Sequence, residues 1–112
     1  MAEDVFGVLA SPVRRELLTI LRIGGPQPVQ TLAAHFDMRR PSISEHLKVL
    51  KDAGLVVERK RGRHRYCHLD ARPLKEVERW LRPYERFWRD RLANLREVLD
   101  AENDQSGADH SS

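Results

Sequence analysis

The sequence predicts a mainly α-helical fold with one small β-hairpin, in the order α-α-α-α-β-β-α. Two patterns support this prediction. Over residues 5–53 the apolar residues recur every three or four positions, as they do on the buried face of a helix. From Leu55 to Leu69 the period falls to two, which is typical of strands with one exposed face. The 112 residues suffice for one domain with a single core, and they are too few for a two-domain enzyme.

The first half of the chain predicts four helices. The first is short, and Ser11-Pro12 opens the second, because a serine N-cap followed by proline is a common helix start. Residues 24–26, Gly-Gly-Pro, end the second helix. The third helix is expected at about residues 29–36 and the fourth, with proline in its first turn, at about 40–53.

The second half predicts the hairpin and a long last helix. Residues 55–60 and 63–69 are expected to form two strands around a turn at Arg61-Gly62. Asp70 is expected to cap the last helix. Pro83 should kink or split that helix, because proline lacks an N–H donor and clashes with the preceding turn.

The charge is unevenly distributed. The predicted domain covers residues 1–99, and residues 100–112 form an acidic tail that is expected to be disordered. The net charge is +3, and the tail holds four acidic and no basic residues, so the domain carries +7. A basic domain indicates a polyanionic partner, most often nucleic acid, and the alternative is simple solubility.

Several classes of protein are not expected. No apolar run approaches the roughly 20 residues that span a bilayer, and the acidic N-terminus lacks a signal-peptide apolar region. We therefore expect a cytoplasmic protein without membrane contact. We find no nucleophile–base constellation and no glycine-rich phosphate loop, so we expect neither catalysis nor a cofactor.

The helix, short turn, helix and hairpin are in the order of a winged helix-turn-helix. The fourth helix would enter the DNA major groove, which is about 12 Å wide and admits one helix. Its stripe of Ile43, Leu47 and Leu50 would pack on the preceding helix. Arg40 can bond guanine bidentately; the alternative is a solvated helix face. The DNA contacts predicted for this helix are Arg39, Arg40, Ser42, Ser44, His46 and Lys48.

The hairpin tip, residues 58–65, holds five basic residues and one acidic residue. Like charges at a turn repel one another, so their density favours an anionic partner. Arg61 and Arg63 are placed to enter a minor groove or clamp phosphates. Protection against edge-to-edge strand pairing is the alternative role. The predicted DNA contacts here are Arg59, Lys60, Arg61, Arg63 and His64.

The chain resembles the ArsR/SmtB-type repressors over about residues 4–99. Residues 11–18 are similar to their second helix, residues 42–56 to their recognition helix and first strand, and residues 61–63 to their wing. The resemblance implies a dimeric bacterial regulator that binds an inverted-repeat operator in double-stranded DNA and usually represses. By position it implies that the groove is read by Arg40, Ser42, Ser44 and His46, with Arg61 and Arg63 in the wing.

The sequence departs from that family's pattern in two places. Arg39 stands where a capping serine or threonine is common, and Glu45 stands where a basic residue is common. Many relatives sense metals, but the third helix has no cysteine and the last helix, residues 71–99, has no histidine. We therefore expect no metal site.

The single cysteine, Cys67, cannot form an internal disulfide. It would be a redox sensor if Arg65 and His68 lowered its thiol pKa. The alternative is a small half-buried apolar side chain in a strand.

The last helix carries more apolar surface than a monomer can hide, so self-association is expected. A small-molecule pocket lined by its aromatic residues is the alternative. The resemblance implies that the first and last helices form the dimer interface. The expected interface residues are Val5, Phe6, Leu9, Leu74, Val77, Leu81, Tyr84, Trp88, Leu92 and Leu95.

The sequence therefore predicts a homodimeric, sequence-specific repressor, one candidate operator being its own promoter. The alternatives are a nonspecific architectural DNA-binding protein, a thiol-based redox regulator that uses Cys67, and a protein-interaction module that has lost DNA binding. The sequence identifies no operator and no small-molecule inducer.

Overall fold

The computed structural model describes the backbone of residues 4–111 and the side chains of residues 4–103. The chain divides into two units, Met1–Val77 and Glu78–Ser112. The first unit holds the predicted helices and hairpin, and the second consists of the last helix beyond Val77. The elements are α1 (Val5–Val8), α2 (Pro12–Gly24), β1 (Gln27–Pro28), α3 (Val29–Ala33), α4 (Arg40–Asp52), β2 (Val56–Arg61), β3 (His64–Leu69), a 3₁₀ helix (Arg72–Leu74) and α5 (Lys75–Ser111).

The predicted order of helices, hairpin and last helix is confirmed. The Ser11 hydroxyl accepts from the Arg14 N–H at 3.3 Å, so Ser11 is the N-cap of α2 as predicted. Helix α3 ends three residues earlier than predicted, because the His35 and Phe36 N–H groups bond the carbonyls three residues back and tighten the chain into a turn. The Arg72 N–H donates to Asp70 Oδ1 at 3.1 Å. The prediction that Asp70 caps the last helix is wrong, because the 3₁₀ helix Arg72–Leu74, with Ala71 as its N-cap, lies between Asp70 and α5.

The sheet has three antiparallel strands in the order β1-β3-β2, one strand more than predicted. Strand β1 is only two residues long and pairs Gln27 with Cys67 and Pro28 with Tyr66. No period can be read from two residues, and the proline is tolerated because β1 is an edge strand.

The hairpin turn lies one residue later than predicted. Arg61 pairs with His64, which leaves Gly62 and Arg63 as the two turn residues. Gly62 has a φ of 65°, the left-handed conformation that tight hairpin turns require and that glycine adopts without steric cost.

One core holds the first unit together. The predicted inward stripe of α4 is confirmed, since Ile43, Leu47 and Leu50 are all buried. They pack with buried residues of α1, α2, α3 and the sheet. This packing fixes which face of α4 remains exposed. The other buried residues are Val5, Val8, Leu17, Leu18, Leu21, Leu32, Leu55, Val56 and Cys67.

Helix α5 passes Pro83 without interruption, so of the two predicted outcomes, a kink or a split, the split is excluded. Proline removes one backbone hydrogen bond, and the long helical segments on either side outweigh that local cost. The helical backbone also continues to Ser111, through the acidic segment where the sequence predicts disorder. In the described part of the chain, no helix combines the length and apolarity that crossing a membrane requires.

Candidate nucleic-acid interface

The exposed face of α4 carries most of the polar side chains that the sequence singled out. The buried stripe of Ile43, Leu47 and Leu50 turns the opposite face of the helix to solvent. His46 is the exception, because it is half-buried beside that stripe. The predicted contacts that are exposed are Arg39, Arg40, Ser42, Ser44 and Lys48.

The N-terminus of α4 concentrates positive charge. Arg39 is the N-cap and its side chain makes no capping hydrogen bond, while its carbonyl accepts from the Ser42 and Ile43 N–H groups. Arg39 and Arg40 therefore sit at the positive end of the helix dipole, where a cation typically costs about 0.3–1 kcal/mol. An anion bound at this end would reverse the sign of that term.

The wing is equally basic and exposed. The register places Lys60 opposite Arg65, and like charges directly opposite each other destabilise a strand pair. Within residues 4–103, no acidic side chain forms an ion pair with the five predicted contacts of the hairpin. A bound polyanion would relieve the repulsion among these cations of the hairpin. All five are exposed: Arg59, Lys60, Arg61, Arg63 and His64.

A salt bridge connects α4 to the wing. Lys51 Nζ lies 2.8 Å from Glu58 Oε2, and both side chains are partly buried. Glu58 is the one acidic residue in the hairpin tip, and it faces inward opposite Cys67 in the sheet. Sequence reasoning missed this pair, although an acid inside a basic tip was a signal that it has a structural partner.

A second connection joins α1, α2 and α4 through Arg14. Its Nε donates to the Val8 carbonyl at 2.7 Å and its Nη2 donates to the Gly7 carbonyl at 3.3 Å. Its Nη1 lies 3.5 Å from Nδ1 of His46. Sequence reasoning did not single out Arg14, because nothing local relates residues 32 positions apart.

Cys67 is fully buried on the core face of β3. Burial raises the pKa of its thiol, the nearby Glu58 carboxylate raises it further, and the Lys51 ammonium opposes part of this change. The redox-sensing alternative requires Arg65 and His68 to lower this pKa, and the pKa is instead raised because desolvation disfavours the thiolate. The structure thus favours the apolar role of Cys67 over redox sensing.

The described residues form no metal-binding cluster. Within residues 4–103, no three histidine, cysteine, aspartate or glutamate side chains converge as ligands would. Among these residues, His46 lies on α4, His64 and His68 lie on β3, and His35 lies in the turn after α3, so the histidines are on different elements.

The predicted interface residues fall into two groups. Val5 is buried in the core and so is unavailable to a partner, and the half-buried Leu9, Leu74 and Val77 pack against that core. Leu81 is also half-buried, and Phe6 is 37% exposed. Exposed large apolar residues of α5 include the predicted Tyr84, Trp88, Leu92 and Leu95 and also Trp80, Phe87, Val98 and Leu99.

The aromatic residues of α5 contact one another along the helix. The ring centroids of Trp80 and Tyr84 are 5.1 Å apart, and those of Tyr84 and Trp88 are 6.3 Å apart. The Arg91 guanidinium lies 4.9 Å from the centroid of the Phe87 ring. At about 100° per residue, these apolar side chains share one broad side of the helix.

Comparison with known proteins connects this geometry to DNA-binding regulators. Residues 9–59 match the model of a helix-turn-helix domain family. The transcriptional repressor SdpR of Bacillus subtilis (strain 168) is 33% identical over 78 residues, 70% of this chain and 86% of that protein. The HTH-type transcriptional regulator Rv2034 of Mycobacterium tuberculosis is 37% identical over 98 residues, 88% of each. A crystal structure of an ArsR family transcriptional regulator is similar at a TM-score of 0.65 and 37% identity, over 80% of this chain and 97% of that one.

Proposed function

The chain belongs to the ArsR family of winged helix-turn-helix transcriptional regulators, and on that premise we propose that it is a homodimeric repressor of an inverted-repeat operator. Each protomer inserts α4 into the major groove of one half-site and lays its wing along the adjacent backbone or minor groove. The protein acts on DNA in the cytoplasm and has no catalytic role.

The observation that carries the proposal is the set of cations at the N-terminus of α4 and in the hairpin that pair with no acidic side chain among residues 4–103. Arg39 and Arg40 lie at the positive end of the α4 dipole, which repels cations. In the wing, Lys60 lies directly opposite Arg65. Such an arrangement costs stability in the free protein. A nucleic-acid backbone supplies the missing negative charge and releases its own counterions on binding.

The contacts divide by the groups they meet. Arg40 at the first turn of α4 bonds a guanine edge bidentately, and Ser42 and Ser44 bond neighbouring base edges. Arg61 and Arg63 in the wing bond phosphates, which position the domain without reading sequence. All of these side chains are exposed and can therefore reach DNA.

The exposed apolar side of α5 supports dimerisation. Trp88 is 49% exposed and Leu92 is 64% exposed. Neighbouring large apolar side chains with this exposure are unusual on the surface of a monomer. A second copy of the helix covers them in a two-fold interface. The two recognition helices then lie about one helical turn of DNA apart, or a multiple of that distance, which explains the inverted repeat.

An anisotropy titration tests the function. Duplex DNA from upstream of the protein's own gene is compared with a scrambled duplex across a salt series. A preference of about 10³ or more for the native duplex supports a specific repressor of its own promoter. Equal binding with a steep salt dependence instead indicates an architectural protein or an operator elsewhere, and selection from a random duplex pool separates the two. Absence of binding to any duplex contradicts the proposal.

A further inference from the structure

Arg14 joins three helices by a set of hydrogen bonds that the DNA-contact assignment does not use. Its guanidinium donates to the Val8 and Gly7 carbonyls at the end of α1, at 2.7 and 3.3 Å. The same group reaches Nδ1 of His46 on α4 at 3.5 Å. Because two carbonyls of α1 hold the guanidinium plane, the direction in which Nη1 points toward α4 is fixed by α1 and not by α4 itself.

The chemistry of this contact determines the state of the His46 ring. A guanidinium has donors only and keeps its proton, so His46 Nδ1 must be the acceptor of the bond. A ring that accepts at Nδ1 is neutral and carries its proton on Nε2. His46 therefore has one polar hydrogen left, and the described residues supply no acceptor for it.

We propose that Arg14 is a positioning residue that holds His46 as the Nε2–H tautomer, and that His46 thereby presents a hydrogen-bond donor to a base-edge acceptor. This inference rests on the proposed function, since it assigns the chemistry by which one residue of the recognition helix reads DNA. A fixed donor selects acceptors such as guanine O6 and N7, adenine N7 or thymine O4, and it rejects the amino group of cytosine. A ring free to exchange tautomers would offer a donor or an acceptor and would discriminate less.

The chain offers a matched control for this role. Arg15, the next residue of α2, donates from Nη1 to the Leu9 carbonyl at 2.7 Å. It makes the same kind of bond from α2 to the end of α1, but it does not contact His46. Arg14→Met and Arg15→Met therefore each remove one arginine bridge to α1, and only the first also removes the donor to Nδ1.

The first measurement is the tautomer of His46 in the DNA-free protein at about pH 8, where an ordinary imidazole is neutral. Long-range ¹⁵N–¹H correlation spectra distinguish Nδ1–H from Nε2–H rings, and His46→Gln assigns the signal by its loss. We expect a single Nε2–H tautomer in the wild type and in Arg15→Met, and a tautomer mixture in Arg14→Met. A mixture or an Nδ1–H ring in the wild type overturns the proposal, and that result needs no variant to fold.

The second measurement compares affinity for the selected operator with affinity for a scrambled duplex. We expect Arg14→Met to lower this discrimination about three- to tenfold, the worth of one hydrogen bond, with an unchanged salt slope. We expect Arg15→Met to preserve the discrimination. A lower salt slope in Arg14→Met would identify a phosphate contact and overturn the positioning role. If the wild type shows no discrimination, the proposed function fails while the tautomer measurement still decides the role of Arg14.

Discussion

Lys51 in the last turn of α4 and Glu58 in β2 form a salt bridge with Nζ and Oε2 2.8 Å apart. The bridge spans the junction between the recognition helix and the wing, the two elements that contact DNA in the proposed complex. Both side chains are partly buried, at 34% and 21% exposure, so water screens the pair less than it screens a pair at the surface. The relative orientation of helix and wing thus depends on a charge pair as well as on the core.

Glu58→Gln tests whether the salt bridge orients the wing or whether Glu58 acts on DNA binding only through its negative charge. Removal of a negative charge near DNA should strengthen binding if charge alone mattered. We expect operator affinity to fall about two- to fivefold instead, the range of a modest ion pair, because the wing loses its connection to α4. Fluorescence anisotropy measures the change. Glu45→Gln, which removes an exposed charge of α4 itself, is the control and should leave binding equal or tighter; a gain in both variants would refute the positioning role.

Arg40→Ala and Arg61→Ala test the division between base and phosphate contacts. Arg40→Ala should cost about 1–3 kcal/mol of binding free energy on the operator and relax specificity at one base pair. Arg61→Ala should weaken binding to all duplexes alike and lower the salt slope by about one. Titrations on the operator, single-base variants and random DNA provide both quantities. Equal losses on operator and random DNA in both variants would reject this division.

Trp88→Glu tests the dimer interface. A carboxylate in the middle of the apolar side of α5 must lose its hydration if a second copy covers it, so the dimer should dissociate. Sedimentation should then show a fall from twice the 13.0 kDa chain mass to the single chain, with loss of tight operator binding. The control is Ile23→Glu, an apolar side chain that is 72% exposed on α2, where we expect no change of mass. A wild-type monomer at micromolar concentration would contradict the interface.

Cys67 provides a test by chemical reactivity. Burial and the Glu58 carboxylate raise the pKa of the thiol, so less thiolate is present at neutral pH than in an ordinary cysteine. Alkylation by iodoacetamide should be slow in the native protein and fast in denaturant. Diamide or peroxide should leave operator affinity unchanged. Cys67→Ala is the matched variant, and an oxidant effect that it abolishes would restore the redox-sensing alternative.

The Asp70–Arg72 pair predicts that the stability of the fold decreases at acidic pH. Hydrogen bonds from the Arg72 side chain and backbone lower the pKa of Asp70 from an ordinary 3.8 to about 2. A carboxyl whose pKa is lower in the folded state stabilises the fold above about pH 4, and that contribution is lost as the pH falls toward 2. The melting temperature of the wild type should therefore be higher than that of Asp70→Asn at neutral pH, and the difference should shrink as the pH falls from 4 toward 2. A difference that is as large at pH 2 as at neutral pH would contradict the assignment.

Much of the recognition helix was predictable, because its determinants are local. Ile43, Leu47 and Leu50 recur at helical spacing, and that spacing alone determines which face is buried. The exposure of Arg40 and Ser44 follows from the same geometry. The period of two predicted the hairpin, and the family resemblance added the likeness to DNA-binding repressors, which the helix-turn-helix match and the relatives support.

Other features depend on distant partners and left no local signal. Strand β1 is extended because Gln27 pairs with Cys67, 40 positions away in the chain. Val5 was expected at a dimer interface, and its apolar side chain is equally suited to the core that it occupies at 6% exposure. Sequence spacing cannot distinguish these two fates, since both remove the side chain from water.

The sequence by itself therefore determined the order of the helices and the hairpin, the buried stripe of α4 and the concentration of positive charge, because each depends on neighbours within a few residues. Only the tertiary structure decided the contacts of Arg14 and Lys51 and the burial of Cys67. Arg14 reaches His46, and Lys51 reaches Glu58, only after helices and sheet have packed on one core. That same packing removes water from Cys67 and raises the pKa of its thiol. Long-range contacts and desolvation are properties of the folded chain, and no short segment of the sequence contains them.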